Sequence, residues 1–119
     1  MAALEQDPDI CIWWATPVEC VSALARKQRE GRLSREDVEA ARVRLRDLES
    51  ISIRIAPTEG VKRHAEELLN RHPLRAADAL QLGAALFFHE TSGGNLPFRS
   101  EDKRLCGAAE KEGFFTQSF

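Results

Sequence analysis

The feature that most constrains the fold of this chain is the alternation of short β-forming runs with longer runs at helical spacing. The β-forming runs are residues 10–14, 51–55, 95–98 and 114–115. Helical runs separate them and short loops join them, with no internal repeat. This order is typical of α/β folds, in which helices cover a largely parallel sheet. We therefore predict that residues 1–119 form a single α/β domain with one core.

Start and stop signals predict the helices between these strands. The first helix begins with Thr16 as N-cap, followed by Pro17 and Glu19, and Gly31 ends it. Ser34 opens the second helix. The inward faces of the second and third helices are Val38, Ala41, Leu45 and Leu48, and Val61, Ala65, Leu68 and Leu69, respectively.

The fourth predicted helix is far more apolar than the others. Residues 75–89 are apolar nearly all round, which is typical of a buried helix. Ser100 is predicted to cap the last helix, and Gly113 ends it. The inward face of that helix is Leu105, Ala108 and Ala109.

Three acidic residues, Glu19, Asp78 and Asp102, fall in the first turn of three different predicted helices. Because an α/β chain collects such turns at the carboxyl edge of its sheet, we expect these side chains to converge. Converging carboxylates are ligands of hard cations. A structural role is the alternative for each: Glu19 completes a capping box with Thr16, and the two aspartates complement helix dipoles.

Asp78 carries the strongest case for a ligand, since it lies in the most apolar helix. An unpaired buried carboxylate is costly, so it needs a cation, a donor or an opening to solvent. Arg75, three residues earlier, is one predicted partner, and a metal ion is the other.

Three stretches resemble motifs of the PIN-domain family, and more narrowly of the VapC-type toxins of toxin–antitoxin pairs. They are residues 16–26 (TPVECVSALAR) with 30–34 (EGRLS), residues 72–82 (HPLRAADALQL), and residues 100–105 (SEDKRL) with Ala108, Ala109 and Gly113. The resemblance implies a three-layer α/β/α fold and a Mg²⁺- or Mn²⁺-dependent endoribonuclease. It also implies a homodimer neutralised by a small antitoxin protein.

On this resemblance, Glu19, Asp78 and Asp102 hold the metal, which activates a water to attack an RNA phosphodiester. The hydroxyls of Thr16 and Ser100 would orient waters or phosphate oxygens. The family also has a central strand ending in an aspartate, which no stretch here matches. We therefore expect an N-terminally incomplete PIN-like domain with weak metal binding and impaired catalysis. The causes left open are a start codon assigned too late, direct pairing of the flanking strands, or a second chain.

Two other functions remain open at this stage. One is a catalytically degenerate PIN-like domain that binds a protein or RNA. The other is a plain α/β interaction module in which all three acids are helix caps.

Charge and cysteine content limit the kinds of partner that this chain can bind and the cellular compartment in which it is expected. The net charge of −2 excludes a globally basic nucleic-acid binder, but a local basic run lies in and after the first helix. Arg26, Lys27 and Arg29 of that run are predicted to steer RNA toward the acids, together with Arg32 and Arg35. The three cysteines show no CxxC pair, and no apolar run is long enough to span a membrane, so a cytoplasmic location is expected.

The histidines and tryptophans are assigned structural roles. His64, His72 and His89 have no ligand spacing, and solvated or capping roles are expected. Trp13 and Trp14 are adjacent in a predicted strand and face opposite ways, so one side chain should enter the core and the other should pack under a helix or at a partner surface.

Overall fold

Helices and short strands alternate along the whole described part of the chain, which makes it a mixed α/β protein, as the sequence pattern predicted. The computed structural model describes residues 7–94 and 96–117. The elements are β1 (Asp7–Trp13), α1 (Thr16–Arg29), α2 (Arg35–Ile51), β2 (Ser52–Ile55), α3 (Glu59–Arg71), α4 (Ala76–Ser92), β3 (Phe98–Arg99), α5 (Lys103–Lys111) and β4 (Thr116–Gln117). They fall into two compact units, an N-terminal unit (Met1–Arg54) and a C-terminal unit (Ile55–Phe119).

The strands within the described residues form two two-stranded sheets, β1 with β2 and β3 with β4. The second pair is parallel, with Phe98 opposite Thr116. Both of its strands begin later than predicted, and the predicted strand position at Asn95 lies outside the described residues. Pro97 has no amide hydrogen, so hydrogen bonding to the neighbouring strand starts at the Phe98 amide, which donates to Phe115 O at 2.7 Å.

The N-terminal unit contains α1 and α2, whose start signals behave differently. Ser34 is the N-cap of α2 as predicted, and it forms a reciprocal capping box with Asp37. The hydrogen bonds from the Ser34 amide and hydroxyl lower the pKa of Asp37. In contrast, the N-cap of α1 is Ala15, so the predicted capping box of Thr16 and Glu19 is wrong. The helix starts one residue early because the Glu19 amide donates to Ala15 O.

Burial in the N-terminal unit is sparse. The buried apolar side chains described there are Ile12, Trp13 and Val38, and α1 buries none. Leu48 was predicted to face inward but is 39% exposed. One tryptophan enters the core as predicted, since Trp13 is buried, whereas Trp14 is 55% exposed.

The C-terminal unit is built around the contact of α3 with α4. Gly83 of α4 lies against the α3 backbone: a Cβ there would be 2.9 Å from the Ala65 nitrogen and 3.0 Å from Val61 O. The buried cluster of this unit is Ala65, Leu68, Ala79, Leu82, Phe98, Leu105, Ala108 and Ala109. Leu69, predicted to face inward, is 44% exposed.

Helix α4 is the most deeply packed helix of this unit, close to the prediction for residues 75–89. Ala79, Leu82, Gly83 and Ala84 are buried, and most of the remaining apolar side chains are half-buried. Gly93 ends α4 in the left-handed conformation, with φ of 69°. None of the helices in the described ranges is long and apolar enough to cross a membrane.

Candidate functional site

Asp78 lies in the first turn of α4, as predicted, and is half-buried. Its carboxylate makes no hydrogen bond and no ion pair with any residue that the structure describes. The predicted pairing with Arg75 is wrong. Arg75 is the N-cap residue with an extended backbone (φ −78°, ψ 160°), so the geometry of side chains three apart on a helix does not apply to it. Asp78 is therefore a carboxylate that is partly removed from water and available to a cation.

Asp102 is the N-cap of α5, one step earlier than the first-turn position that the sequence predicted. Its Oδ1 accepts hydrogen bonds from the amides of Arg104 at 2.9 Å and Leu105 at 3.3 Å. The prediction that Ser100 is the cap is wrong: its hydroxyl instead accepts a hydrogen bond from the Asp102 amide at 3.0 Å. Both capping bonds end on Oδ1, so the cap leaves the Oδ2 oxygen for another ligand.

Glu19 lies in the first turn of α1 and is half-buried. It belongs to the N-terminal unit, whereas Asp78 and Asp102 belong to the C-terminal unit. The pKa of the neighbouring Cys20 thiol is raised chiefly by burial. The negative charges of Glu19 and Glu49 raise this pKa further.

Among the side chains of the described ranges, no group of three or more His, Cys, Asp or Glu is arranged to hold a metal ion. Helices α4 and α5, which carry Asp78 and Asp102, belong to one unit. The full set of Glu19, Asp78 and Asp102 as metal ligands stays a prediction.

The basic run on α1 offers unpaired charge. Arg26 and Arg29 are exposed and Lys27 is half-buried in the last turn of α1. None of the three has an acidic partner within 4.0 Å among the described residues, in contrast to Arg32, which lies 3.5 Å from Glu30. Positive charge at a helix C-terminus is also favourable in itself, because it complements the helix dipole.

One charged cluster in the C-terminal unit was not predicted. Arg71 donates two hydrogen bonds to Glu112, Nε to Oε2 at 2.9 Å and Nη2 to Oε1 at 3.0 Å. His72, which is buried, donates from Nε2 to Glu112 Oε2 at 2.7 Å. The hydrogen bonds from Arg71 and then His72 lower the pKa of Glu112, although burial opposes them. The pairing joins residues 40 positions apart, and no local sequence signal marks it.

The other histidines also pair with side chains rather than standing free. His64 Nε2 lies 2.7 Å from Glu90 Oε2, which links α3 to α4. The ring of His89 packs edge-on against Phe114, with 5.7 Å between ring centroids. The expected capping role holds for His72, which is the C-cap of α3, but its side chain is buried rather than solvated.

Comparison with known proteins adds no relative to this description, since no family model, no curated protein and no solved structure matches the chain.

Proposed function

We propose that this chain is a PIN-like, divalent-metal-dependent endoribonuclease of the VapC toxin type, acting in the cytoplasm and held in check by a small antitoxin protein. The observation that supports the proposal is the environment of the Asp78 carboxylate. A half-buried carboxylate without a hydrogen-bond or ion-pair partner among the described residues is costly unless a cation or water compensates it. It lies in the motif whose resemblance to the family is closest.

Asp102 supports the same proposal. Its Oδ1 holds the start of α5 through two backbone amides, which fixes the orientation of the carboxylate, and its Oδ2 takes no part in the cap. A carboxylate anchored by one oxygen and open at the other has the chemistry of an Mg²⁺ or Mn²⁺ ligand. Glu19 is the third proposed ligand, with the Thr16 and Ser100 hydroxyls as accessory groups.

When bound, the metal lowers the pKa of a coordinated water and stabilises negative charge on the phosphate. The residues of the chain supply the rest. Asp78 holds negative charge in the first turn of α4 and Asp102 holds it at the N-cap of α5, and Arg26, Lys27 and Arg29 attract the RNA backbone. Three of the family's acidic positions are matched here, so we expect weak metal affinity and slow cleavage. We propose a three-layer arrangement and a homodimer on the resemblance alone.

The decisive experiment is calorimetric titration with Mn²⁺ of the wild-type chain and of Asp78→Asn and Asp102→Asn. Asn serves as an N-cap about as well as Asp, so Asp102→Asn should retain its stability while losing metal affinity. We expect binding by the wild type and its loss in both variants. Glu101→Gln is the control, because it removes the exposed neighbouring carboxylate. Equal heats for wild type and both Asn variants, or no binding by any, would overturn the metal site.

The salt dependence of RNA affinity tests the contribution of the basic run. RNA affinity should fall steeply between low and moderate salt, because each phosphate contact releases counterions. Replacing Arg26, Lys27 and Arg29 together by Gln should flatten this salt dependence. An affinity that is insensitive to salt in the wild type would rule out steering by these residues.

A second function, a non-catalytic PIN-like module that binds protein or RNA, is favoured by one observation. Asp102 is the N-cap of α5 through its Oδ1, and this structural role needs no metal. The broader idea that all three acids are caps is not supported by α1 and α4, whose N-cap residues are Ala15 and Arg75. RNA binding without Mn²⁺-dependent cleavage would favour this second function.

A further inference from the structure

The cluster of Arg71, His72 and Glu112 joins the C-terminal end of α3 to the C-terminal end of α5. His72 is the C-cap of α3, three residues before Arg75, the N-cap of α4. Glu112 is the C-cap of α5, the helix whose N-cap is Asp102. One carboxylate thus connects the turn that leads into α4 with the end of α5.

The turn of residues 72–75 has few other attachments. Its own hydrogen bond runs from the Leu74 amide to His72 O at 2.9 Å, and the first turn of α4 is closed by the Ala79 amide donating to Arg75 O at 2.9 Å. Within the described residues, the hydrogen bond of His72 to Glu112 is the only polar side-chain contact of this turn. Leu74 adds apolar packing against the buried cluster.

We propose that Glu112 is a positioning residue, which fastens the α3–α4 turn to the C-terminal end of α5 and so fixes the first turn of α4 with Asp78. Three features suit it to this role. Its carboxylate accepts three hydrogen bonds, its side chain is only 15% exposed, and one of its two partners, His72, is buried. Charge-assisted hydrogen bonds in such a site are stronger and more directional than neutral ones. Of the surrounding acids, Glu67 also acts on Arg71, whose pKa is raised chiefly by the hydrogen bond to Glu112.

Different contacts hold the middle and the first turn of α4. The close approach of Gly83 to the α3 backbone holds the middle of α4. The first turn of α4 is held by the core packing of Ala79 and by the residues that precede the helix. The consequence is that loss of Glu112 should loosen the α3–α4 turn without loosening the centre of the unit.

Amide hydrogen exchange measured by NMR tests this division on the whole chain. In Glu112→Gln, the amides of Leu74 and Ala79 should exchange at least about tenfold faster, the factor expected for loss of hydrogen bonds to a charged group. Amides of α4 near Leu82 should change by less than about threefold. The matched control is Glu90→Gln, which removes the other 2.7 Å histidine–carboxylate pair at an exposed site. It should leave Leu74 and Ala79 at wild-type rates.

Several outcomes would overturn the proposal. Wild-type exchange at Leu74 and Ala79 in Glu112→Gln is one, and an equal acceleration throughout α4, which marks a general loss of stability, is another. If Glu112→Gln does not fold, Arg71→Gln replaces it, because Arg71 is 45% exposed and its loss is milder. A smaller acceleration at the same two amides is then expected, and its absence counts against the proposal.

A pH measurement provides a second readout. The pKa of Glu112 is lowered in the folded state, so its stabilising contribution is present above the ordinary glutamate value of about 4.3 and is lost as the pH falls through the lower folded value. The difference in urea midpoint between wild type and Glu112→Gln should therefore shrink as the pH falls below about 4.3. A difference that persists unchanged at acid pH would contradict the charge-based tether.

The role for metal binding rests on the proposed function. If Asp78 is a ligand, Glu112→Gln should weaken Mn²⁺ affinity, whereas Glu90→Gln should not. Failure of the wild type to bind Mn²⁺ would remove the proposed function and leave the exchange result as the test of the tether.

Discussion

The two helix pairs of this chain, α1 with α2 and α3 with α4, have similar lengths but very different burial. In the C-terminal unit, Val61, Leu68 and Leu82 are almost completely buried, and Gly83 brings two helix backbones into contact. In the N-terminal unit, α1 has no buried residue and α2 has one, Val38. An apolar stripe shows which face of a helix turns inward. A small residue at the crossing point decides how deeply that face is buried.

This difference predicts an uneven distribution of stability. Buried apolar contacts set the free energy of local opening, so the C-terminal unit should open only with global unfolding. The N-terminal unit should depend more on local signals such as helix caps. The following predictions test that contrast in order of decreasing effect.

The largest contrast is expected from truncating one leucine in each unit. Leu82→Ala removes a fully buried side chain and should lower the free energy of unfolding by about 2–5 kcal/mol. Leu45→Ala, at a half-buried position of α2, should lower it by about 1 kcal/mol or less. Urea denaturation followed by circular dichroism measures both. Equal losses would show that the N-terminal unit is as well packed as the C-terminal unit, and the comparison would fail.

The glycine at the α3–α4 contact should be sensitive to the smallest possible side chain. Gly83→Ala places a methyl group against backbone atoms at 2.9 and 3.0 Å, and should destabilise by about 1–3 kcal/mol. Gly107→Ala in α5, where nothing lies within 4 Å, should instead stabilise by about 0.5–1 kcal/mol through helix propensity. The thermal midpoints of the two variants should therefore move in opposite directions. A rise for both would mean that the two helices can separate at little cost.

The smallest effect is expected from the caps of the N-terminal unit. Ser34→Ala removes a capping box and should cost about 0.5–2 kcal/mol. Thr16→Ala, at a position that the sequence marks as a cap, should change stability by less than about 0.5 kcal/mol, because Ala15 is the N-cap of α1. Thermal denaturation of the two variants compares them directly. A larger loss for Thr16→Ala would place the helix start where the sequence predicted it.

Local patterns predicted the elements well, and their failures have physical causes. The mixed α/β character, the Ser34 cap and the buried face of Val61, Ala65 and Leu68 follow from short-range spacing. The Ser100 cap failed because Ser100 and Asp102 are both good capping residues two positions apart, and the carboxylate oxygen accepts two amides at once. Leu69 is 44% exposed although Val61, Ala65 and Leu68 of the same predicted face are buried.

The candidate site was predicted only in part. Sequence alone placed Asp78 and Asp102 at helix starts, since capping and charge preferences are local. It gave no sign of the link from His72 to Glu112, because that contact depends on how α3 and α5 come together and joins residues 40 positions apart. It also assigned Arg75 to Asp78 by helical spacing, although the helix begins only after Arg75.

The two tryptophans of this chain can serve as an intrinsic fluorescent probe. Both indoles, Trp13 and Trp14, lie in the N-terminal unit, one buried and one exposed, and the sequence has no tyrosine. All six phenylalanines lie after residue 86, in the C-terminal unit. Tryptophan emission therefore comes from side chains of the N-terminal unit, whereas the amide signal in the far ultraviolet comes from both units. If the two signals change at the same urea concentration, the units unfold together, and if emission changes first, they are separate cooperative units.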